Sequence, residues 1–471
     1  MAKNTRTEKD SLGPLKVPAT AYWGINVARA KNNFPISGRT IHPRIVEGYC
    51  QVKKAAAIVN KKAGRLTAKQ ANAIVQAADE VLAGKLRDQF IVDVFQAGAG
   101  TSTNMNANEV LANRALEIMG RKKGEYEFCS PNDHVNAGQS TNDTFPTSMR
   151  IAALDALRDF YPEAKRLADA LFDKGKEFSN VLKSGRTHLQ DAVPMTVGHE
   201  FAAYGAAVKA AANHIQRTSK DMLQLGIGGS AAGTGMNTHP AYAKHMANEL
   251  ARQTGHPFKK AKDLVWAMQS QMPIGATSSS VRDFAVELGR IANDLRLLSS
   301  GPTTGLAEIK LPAVQAGSSI MPGKVNPSIP EMVNMVCFHV MGNDTTVSMA
   351  VAAGQMELNV MMPIMAENIL ESIQILTAAC CQLTDLCIKG ITVDEARCKD
   401  YAFRSMGLAT ALAPSIGYLA AAGVAKRALK EGQTVPELVK EEKLLSDKEL
   451  SRVLDPLRMT RPDPSLAKKK G

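Results

Sequence analysis

The chain has 471 residues, 45% apolar, 5% aromatic and 22% charged, with a formal net charge of +12. That length and apolar share allow large buried cores and two or three domains, and they exclude a disordered chain. The positive charge is spread along the sequence and dense only at Lys468-Lys469-Lys470; with no basic-aromatic face and no zinc-finger spacing, it argues against a nucleic-acid partner.

In chain order, Gly13, Pro14, Pro18, Gly24, Pro35 and Gly38 predict an irregular leader over residues 1–40. Helical periodicity begins near Pro43 and continues through 68–86 and 106–118, before a loop rich in Asn, Asp, Ser and Gly over 124–142. Apolar residues then recur at three- and four-residue spacing, as in Ile151, Leu154, Leu157, Leu167 and Leu171. They predict long helices over 147–182, 197–225, 278–299, 329–352 and 357–389. Such lengths exceed the roughly 8–20 residues usual in a globular helix. They suit a bundle whose helices are buried on several sides, and they predict oligomerisation. Scarce aromatics and abundant Ala, Leu, Val and Met point the same way, to an all-α fold. The expected division is 1–140 as a mostly helical N-terminal domain, 141–395 as the long-helix bundle and 396–471 as a small helical domain.

Residues 405–425 carry no charge, but Pro414 and many small residues make a buried helix followed by a turn the better reading than a membrane span. The seven cysteines are odd in number and form no CxxC, so free thiols in a reducing compartment are expected. The N-terminal MAKNTRTEKD is too charged for a secretory signal. Together these give a cytoplasmic protein with no membrane partner.

Three polar clusters interrupt the helical pattern. The first is Gly98-Ala99-Gly100-Thr101-Ser102-Thr103-Asn104-Met105-Asn106, leading to Gln139-Ser140-Thr141-Asn142-Asp143. The second is Gly185-Arg186-Thr187-His188-Leu189-Gln190-Asp191, and the third Gly317-Ser318-Ser319-Ile320-Met321-Pro322-Gly323-Lys324-Val325-Asn326-Pro327. Hydroxyls and amides beside glycines at helix starts collect N–H donors around an anion. The same residue types also serve as ordinary N-caps and turns, so one cluster alone decides nothing. Three together favour an anion site, and no Walker, Rossmann or HExxH motif offers a rival chemistry.

The third cluster, GSSIMPGKVNP, resembles the signature of the superfamily that includes class II fumarase, aspartase, argininosuccinate lyase and adenylosuccinate lyase. The resemblance runs from about Glu8 to about Arg461, through AYWGINVARA, VDVFQAGAGTSTNMNANEVLANRA, GRTHLQDAVP and VMGNDTTVSMA. It implies a three-domain helical subunit, a homotetramer with a 20-helix core, and active sites shared by three subunits. It also implies removal of a β-proton through an aci-carboxylate intermediate, followed by loss of an amine or water to give fumarate. Under that resemblance Ser318 matches the general base, and Thr101, Ser140, Thr141 and Ser319 the grip on the carboxylate that takes up charge. Lys324, Asn326 and Thr187 match the hold on the other carboxylate. His188 lies near the leaving group with Glu331 as its orienting partner, and Asn142 and Met321 also contact substrate. No metal ligand set and no required cofactor are implied, with activation by a divalent metal such as Mg2+ left open.

Within the superfamily, smaller differences favour the aspartases. Ser102 follows Thr101 where class II fumarases usually have Gln, and Ser140-Thr141 replaces Ser-Ser. Ser130 precedes Pro131-Asn132-Asp133 where fumarases carry His. The phrase GLAEIKLPAVQAGSSIMP agrees. The expected reaction is therefore reversible deamination of L-aspartate to fumarate and ammonia; a class II fumarase, or a lyase for a related amino diacid, is the alternative. Thr303, Met362 and Ala413 depart from the family pattern.

Overall fold

The computed structural model describes residues 4–462; the Lys468-Lys469-Lys470 run lies outside the described residues. The fold is predominantly helical, with strands confined to short pairs.

The expected irregular leader is corrected. Strands β1 (Thr5–Asp10) and β2 (Gly13–Pro18) form an antiparallel hairpin, and helix α1 (Ile25–Asn33) follows. Arg6, Glu8, Asp10 and Arg29 are paired rather than solvated. Arg6 Nε binds Glu8 at 2.7 Å, and Glu8 Oε2 accepts the Ile25 N–H at 2.9 Å. The buried Glu109 carboxylate accepts the N–H groups of Gly24 at 2.6 Å and Asn26 at 2.9 Å, which caps α1 from another helix. A hydropathy reading registers those charges but not their partners.

Helices α2 (Pro43–Lys62), α3 (Ala68–Leu82) and α4 (Thr101–Ile118) follow the predicted periodicity. Thr67 and Gln70 close a reciprocal capping box on α3, worth about 1 kcal/mol. The loop expected over 124–142 contains a π-helical turn at Pro131–Val135, capped by Ser130 Oγ. Helix α5 starts before the expected 147, at Thr141, because Ser140 Oγ accepts the Asn142 N–H and a polar first turn resembles loop in sequence.

The long helices are α5 (Thr141–Glu177), α6 (Val197–Thr218), then, after α7 (Tyr242–Thr254) and α8 (Leu264–Gln269), α9 (Met272–Leu298), α10 (Ser328–Ala352) and α11 (Met362–Leu386). The helix expected to reach 182 ends at Glu177, and the chain turns into β3 (Leu182–Thr187), which pairs with β4 (Gln190–Thr196). The chain ends in α12 (Glu395–Arg404), α13 (Leu408–Ile416), α14 (Tyr418–Glu431), α15 (Val435–Glu441) and α16 (Asp447–Val453), with a last turn at Pro456–Met459.

Contacts divide the chain into two units. One holds the described residues to Tyr161, with Asn213–Ala285 and Phe338–Thr377; the other holds Pro162–Ala212, Val286–Cys337 and the described residues from Ala378. Every division falls inside one of the five long helices. The first unit has a core of Val52, Ala55, Val59, Ile151, Tyr242, Met246 and Leu250, joining α2, α5 and α7. The second includes a core of Leu408, Leu412, Val424, Leu438 and Leu450 from α13 to α16. Each fully buried Leu or Val there contributes about 1.5–3 kcal/mol.

The uncharged 405–425 stretch breaks at Gly417 into α13 and α14, each too short to span a bilayer. Helix α11 is long and apolar enough to cross a membrane, but most of its apolar stretch is buried inside the chain, as in a core helix. All seven cysteines are free, six buried and Cys381 partly exposed. Helix α10 buries Val333, Cys337, Val340, Val347 and Ala350. It leaves Met335, Phe338, Gly342, Thr345 and Met349 exposed, an uncharged stripe at alternating three- and four-residue spacing.

Candidate active site

The first cluster is assembled at two helix starts. Thr101 opens α4, and Gly100 before it has φ +81, a left-handed conformation that suits glycine. A Cβ at Gly100 would also lie 2.0 Å from the Phe145 ring. The Ala99 N–H donates to Val360 O at 2.7 Å, and Gln96 Oε1 accepts from the N–H and hydroxyl of Thr103. Thr101 is exposed, whereas Thr141 is buried. Asn104, one turn into α4, donates its amide N–H to Thr141 Oγ1 at 3.1 Å, so the two helix starts are tied together.

Two buried charged residues lie under this cluster: Lys53, which escaped the sequence reading, and Asp143, which stands in the cluster itself but was given no role there. Lys53, fully buried on α2, donates to Asn104 Oδ1 at 2.7 Å, Asn136 Oδ1 at 2.8 Å and Gln139 Oε1 at 3.0 Å. Burial pulls its ammonium down to about 7, opposed by the charge of Asp143. Asp143, also fully buried, accepts the N–H groups of Ser140 at 3.0 Å, Gly228 at 2.9 Å and Ser230 at 3.0 Å. Burial pushes its carboxyl up to about 6 against those donors and Lys53. It thereby anchors the glycine-rich segment 226–235 beside Ser140, and Asn142 Nδ2 donates to Ala231 O at 2.8 Å. The run GIGGSAAGTG was the available signal for that segment; Lys53 sits in an unremarkable helical pattern and gave none.

The second cluster is a hairpin tip rather than a helix start. Thr187 pairs with Gln190, and His188 and Leu189 between them have φ +56 and +57. Two left-handed residues are what a tight two-residue β-turn requires. Below the tip, Arg186 makes two bonds to the buried Glu308, at 3.0 and 2.8 Å, and Lys183 lies 3.3 Å from the same carboxylate. Arg186 is therefore an anchor, and Thr187 and His188 stand exposed.

The third cluster is a loop leading to α10. Ser318 Oγ accepts the N–H of Met321 at 2.9 Å and of Ile320 at 3.2 Å. The Asn326 side chain donates to Gly317 O, which closes the loop at its base. That closure leaves no space at Gly317, where a Cβ would lie 1.9 Å from Lys324 O. Gly323 turns the loop with φ +82. Ser319, Met321 and Lys324 are exposed, Ser318 and Asn326 less so. Glu331 lies in the first turn of α10, and among the described residues no side-chain hydrogen bond joins it to His188. Likewise, no group of three or more His, Cys, Asp or Glu able to hold a metal is found among the described residues. Of the positions that depart from the family pattern, Met362 is buried at the start of α11, Ala413 packs on the C-terminal core and Thr303 is exposed.

The chain thus carries two anchored hydroxyl clusters and one serine loop, all rich in donors suited to a dicarboxylate. Residues 13–342 match the family model described as lyase, and 408–461 the one described as fumarase C C-terminus. The chain is 47% identical to the aspartate ammonia-lyase of Bacillus subtilis over 98% of this chain and 97% of that one. It is 48% identical to the Escherichia coli K12 enzyme of the same name over 96% and 95%. Among solved structures, a fumarate lyase:delta crystallin from Brucella melitensis, bound to cobalt, superposes with TM-score 0.95 at 48% identity, covering 97% of this chain and 100% of that one. A class II fumarase from Schistosoma mansoni gives TM-score 0.92 at 37% identity, covering 97% and 99%. The chain belongs to the lyase family that contains the aspartate ammonia-lyases and the class II fumarases.

Proposed function

We propose that the chain catalyses the reversible deamination of L-aspartate to fumarate and ammonia. The observation that carries the reaction is its near-full-length identity to aspartate ammonia-lyases, higher than to the class II fumarase. Ser318 is the proposed base: its alkoxide takes a β-proton, the electron pair passes into the adjacent carboxylate, and the resulting aci-carboxylate expels the amine as the C–N bond breaks. A serine does this only if its anion is stabilised, and the N–H groups of Ile320 and Met321 point at Ser318 Oγ. Thr101, Ser140, Thr141 and Ser319 would hold the carboxylate that gains charge; each oriented donor of this kind is worth about 10²–10³ in rate. Lys324, Asn326 and Thr187 would hold the other carboxylate. His188, oriented by Glu331, would lie by the amine with Asn142, and Met321 would line the site. No required cofactor enters these steps, and activation by a divalent metal such as Mg2+ is part of the proposal.

These residues belong to three clusters, and several stand exposed in a single chain. We therefore propose a homotetramer in which three subunits complete each site, within a cytoplasmic protein of three-part organisation at 1–140, 141–395 and 396–471. The uncharged stripe of α10 supports that assembly, because an exposed apolar seam at this spacing is what a facing helix covers. The expected native mass is about four times the 50.5 kDa chain; light scattering that finds a monomer retaining full activity overturns the shared site.

The test of function follows fumarate by its ultraviolet absorbance, with L-aspartate and L-malate in parallel, with and without Mg2+ and a chelator. Aspartate alone should give fumarate, and Ser318→Ala should lose activity about 10³-fold or more. Fumarate from malate alone would make the chain a fumarase, and silence with both would point to a related amino diacid.

A further inference from the structure

An ammonium has three donors and no acceptor. Lys53 spends all three on neutral amide oxygens, those of Asn104, Asn136 and Gln139, and among the described residues no carboxylate accepts from it. Every amide that turns its oxygen to Lys53 must turn its nitrogen away. The Gln139 nitrogen donates to Val135 O at 2.9 Å and the Asn136 nitrogen to Gln139 O at 3.2 Å. The Asn104 nitrogen donates to Asn136 Oδ1 at 3.3 Å and to Thr141 Oγ1 at 3.1 Å.

That last bond has a consequence for Thr141. Its oxygen is already an acceptor, and among the described residues its own proton has no partner. Thr144, the neighbouring hydroxyl, donates to Ser140 O at 2.9 Å and lies 3.4 Å from Asn104 Oδ1, so it does not compete for the Asn104 nitrogen. The relay from Lys53 through Asn104 to Thr141 therefore runs in one direction, with a proton at its outer end.

We propose that Lys53 is a positioning residue whose ammonium sets the polarity of this relay, so that Thr141 presents a proton rather than a lone pair to the substrate carboxylate that accumulates charge. The identity of that anion rests on the reading above; the polarity does not. A neutral side chain at 53 frees Asn104 to reverse, its oxygen then draws the Thr141 proton inward, and the anion meets a lone pair. This accounts for a lysine buried without a counter-carboxylate in contact, since a carboxylate at 104 would satisfy the charge and reverse the hydroxyl. The neighbours that face Lys53 fit a held cation. The Tyr49 ring lies 5.8 Å from Nζ, Asp143 supplies a nearby negative charge, and Cys50 shares the α2 turn.

The test is a double-mutant cycle on the full-length protein with Lys53→Met, Asn104→Asp and Thr141→Val. Asn104→Asp keeps an acceptor for Lys53 and so guards against loss of fold, but it removes the nitrogen that donates to Thr141. Each single variant should lower kcat/KM by about 10²–10³-fold, on the scale of one lost donor. Each should also weaken inhibition by succinate, a non-reacting dianion. Adding Thr141→Val to either of the others should cost less than threefold more. A purely electrostatic role for the charge lost at 53 or the charge introduced at 104 makes the losses multiply, and that outcome overturns the relay, as does wild-type kcat/KM in Asn104→Asp. Failure of the aspartate reading would show in the wild type, whose substrate then serves for the same cycle; failure of the relay shows only in the cycle.

Discussion

Thr141 stands on a lysine and three amides that are tied to one another, with Asp143 bonded to the backbone beside them, whereas the loop around Ser318 is closed by its own Asn326 side chain and leaves Ile320 82% exposed. The first region is fixed before any ligand arrives. The second holds its serine by local hydrogen bonds alone and presents the rest to solvent. Donors for accumulating charge act best when already oriented, while a loop that must admit and release substrate gains from few tertiary ties. The contrast predicts that damage to the Ser318 loop costs activity without stability, and that damage to the Thr141 network costs both.

Of the variants that separate the two regions, Gly317→Ala should have the largest effect. Its methyl would collide with Lys324 O, so the loop base must open and Ser318 must shift. A displacement of about 1 Å costs on the order of 100-fold in rate. We expect kcat/KM to fall by that much with Tm changed by under roughly 2 °C, and a matching collapse in Tm would show the loop to be structural after all.

Asp143→Asn should act the other way round. One oxygen that accepts buried N–H groups becomes a donor, which leaves a donor facing a donor at a cost of about 1–3 kcal/mol. A clear fall in Tm with loss of activity is expected, and unchanged Tm would separate the 226–235 segment from the site.

A third effect is one of pH. Burial raises the Asp143 carboxyl from 3.8 to about 6, so the folded chain keeps a proton that the unfolded chain releases across that window. Its contribution is fully present below pH 3.8 and is lost as pH rises to about 6, at roughly 1.4 kcal/mol per unit. The difference in Tm between wild type and Asp143→Asn should therefore shrink as pH rises from 4 to 6. A difference that widens with pH contradicts that assignment.

What the sequence made legible follows from periodicity and motif. The five long helices were found because apolar spacing survives over many turns, and the serine loop because its residues are consecutive. Ser140 and Thr141 were singled out by family resemblance, but α5 was begun six residues late, because a polar, self-capped first turn has no apolar rhythm. Lys53 and Glu308 were missed, since a buried charge is recognised by its partners, and those lie 51 and 122 residues away in the pairs with Asn104 and Arg186. The β1–β2 and β3–β4 hairpins were missed for a related reason: each is too short for period-two alternation to stand out.

The tip of the second hairpin shows a conflict of interest inside the chain. His188 and Leu189 both occupy left-handed backbone conformations, at a cost of about 1–2 kcal/mol each relative to the ordinary regions. A turn shaped only for durability would carry Asn-Gly there, which adopts the same geometry with little strain. The ladder above Ser184 and the Arg186–Glu308 pair hold the turn in place regardless. At His188 and Leu189 the hairpin thus forgoes stability that an Asn-Gly turn would keep, and the strands below carry that cost.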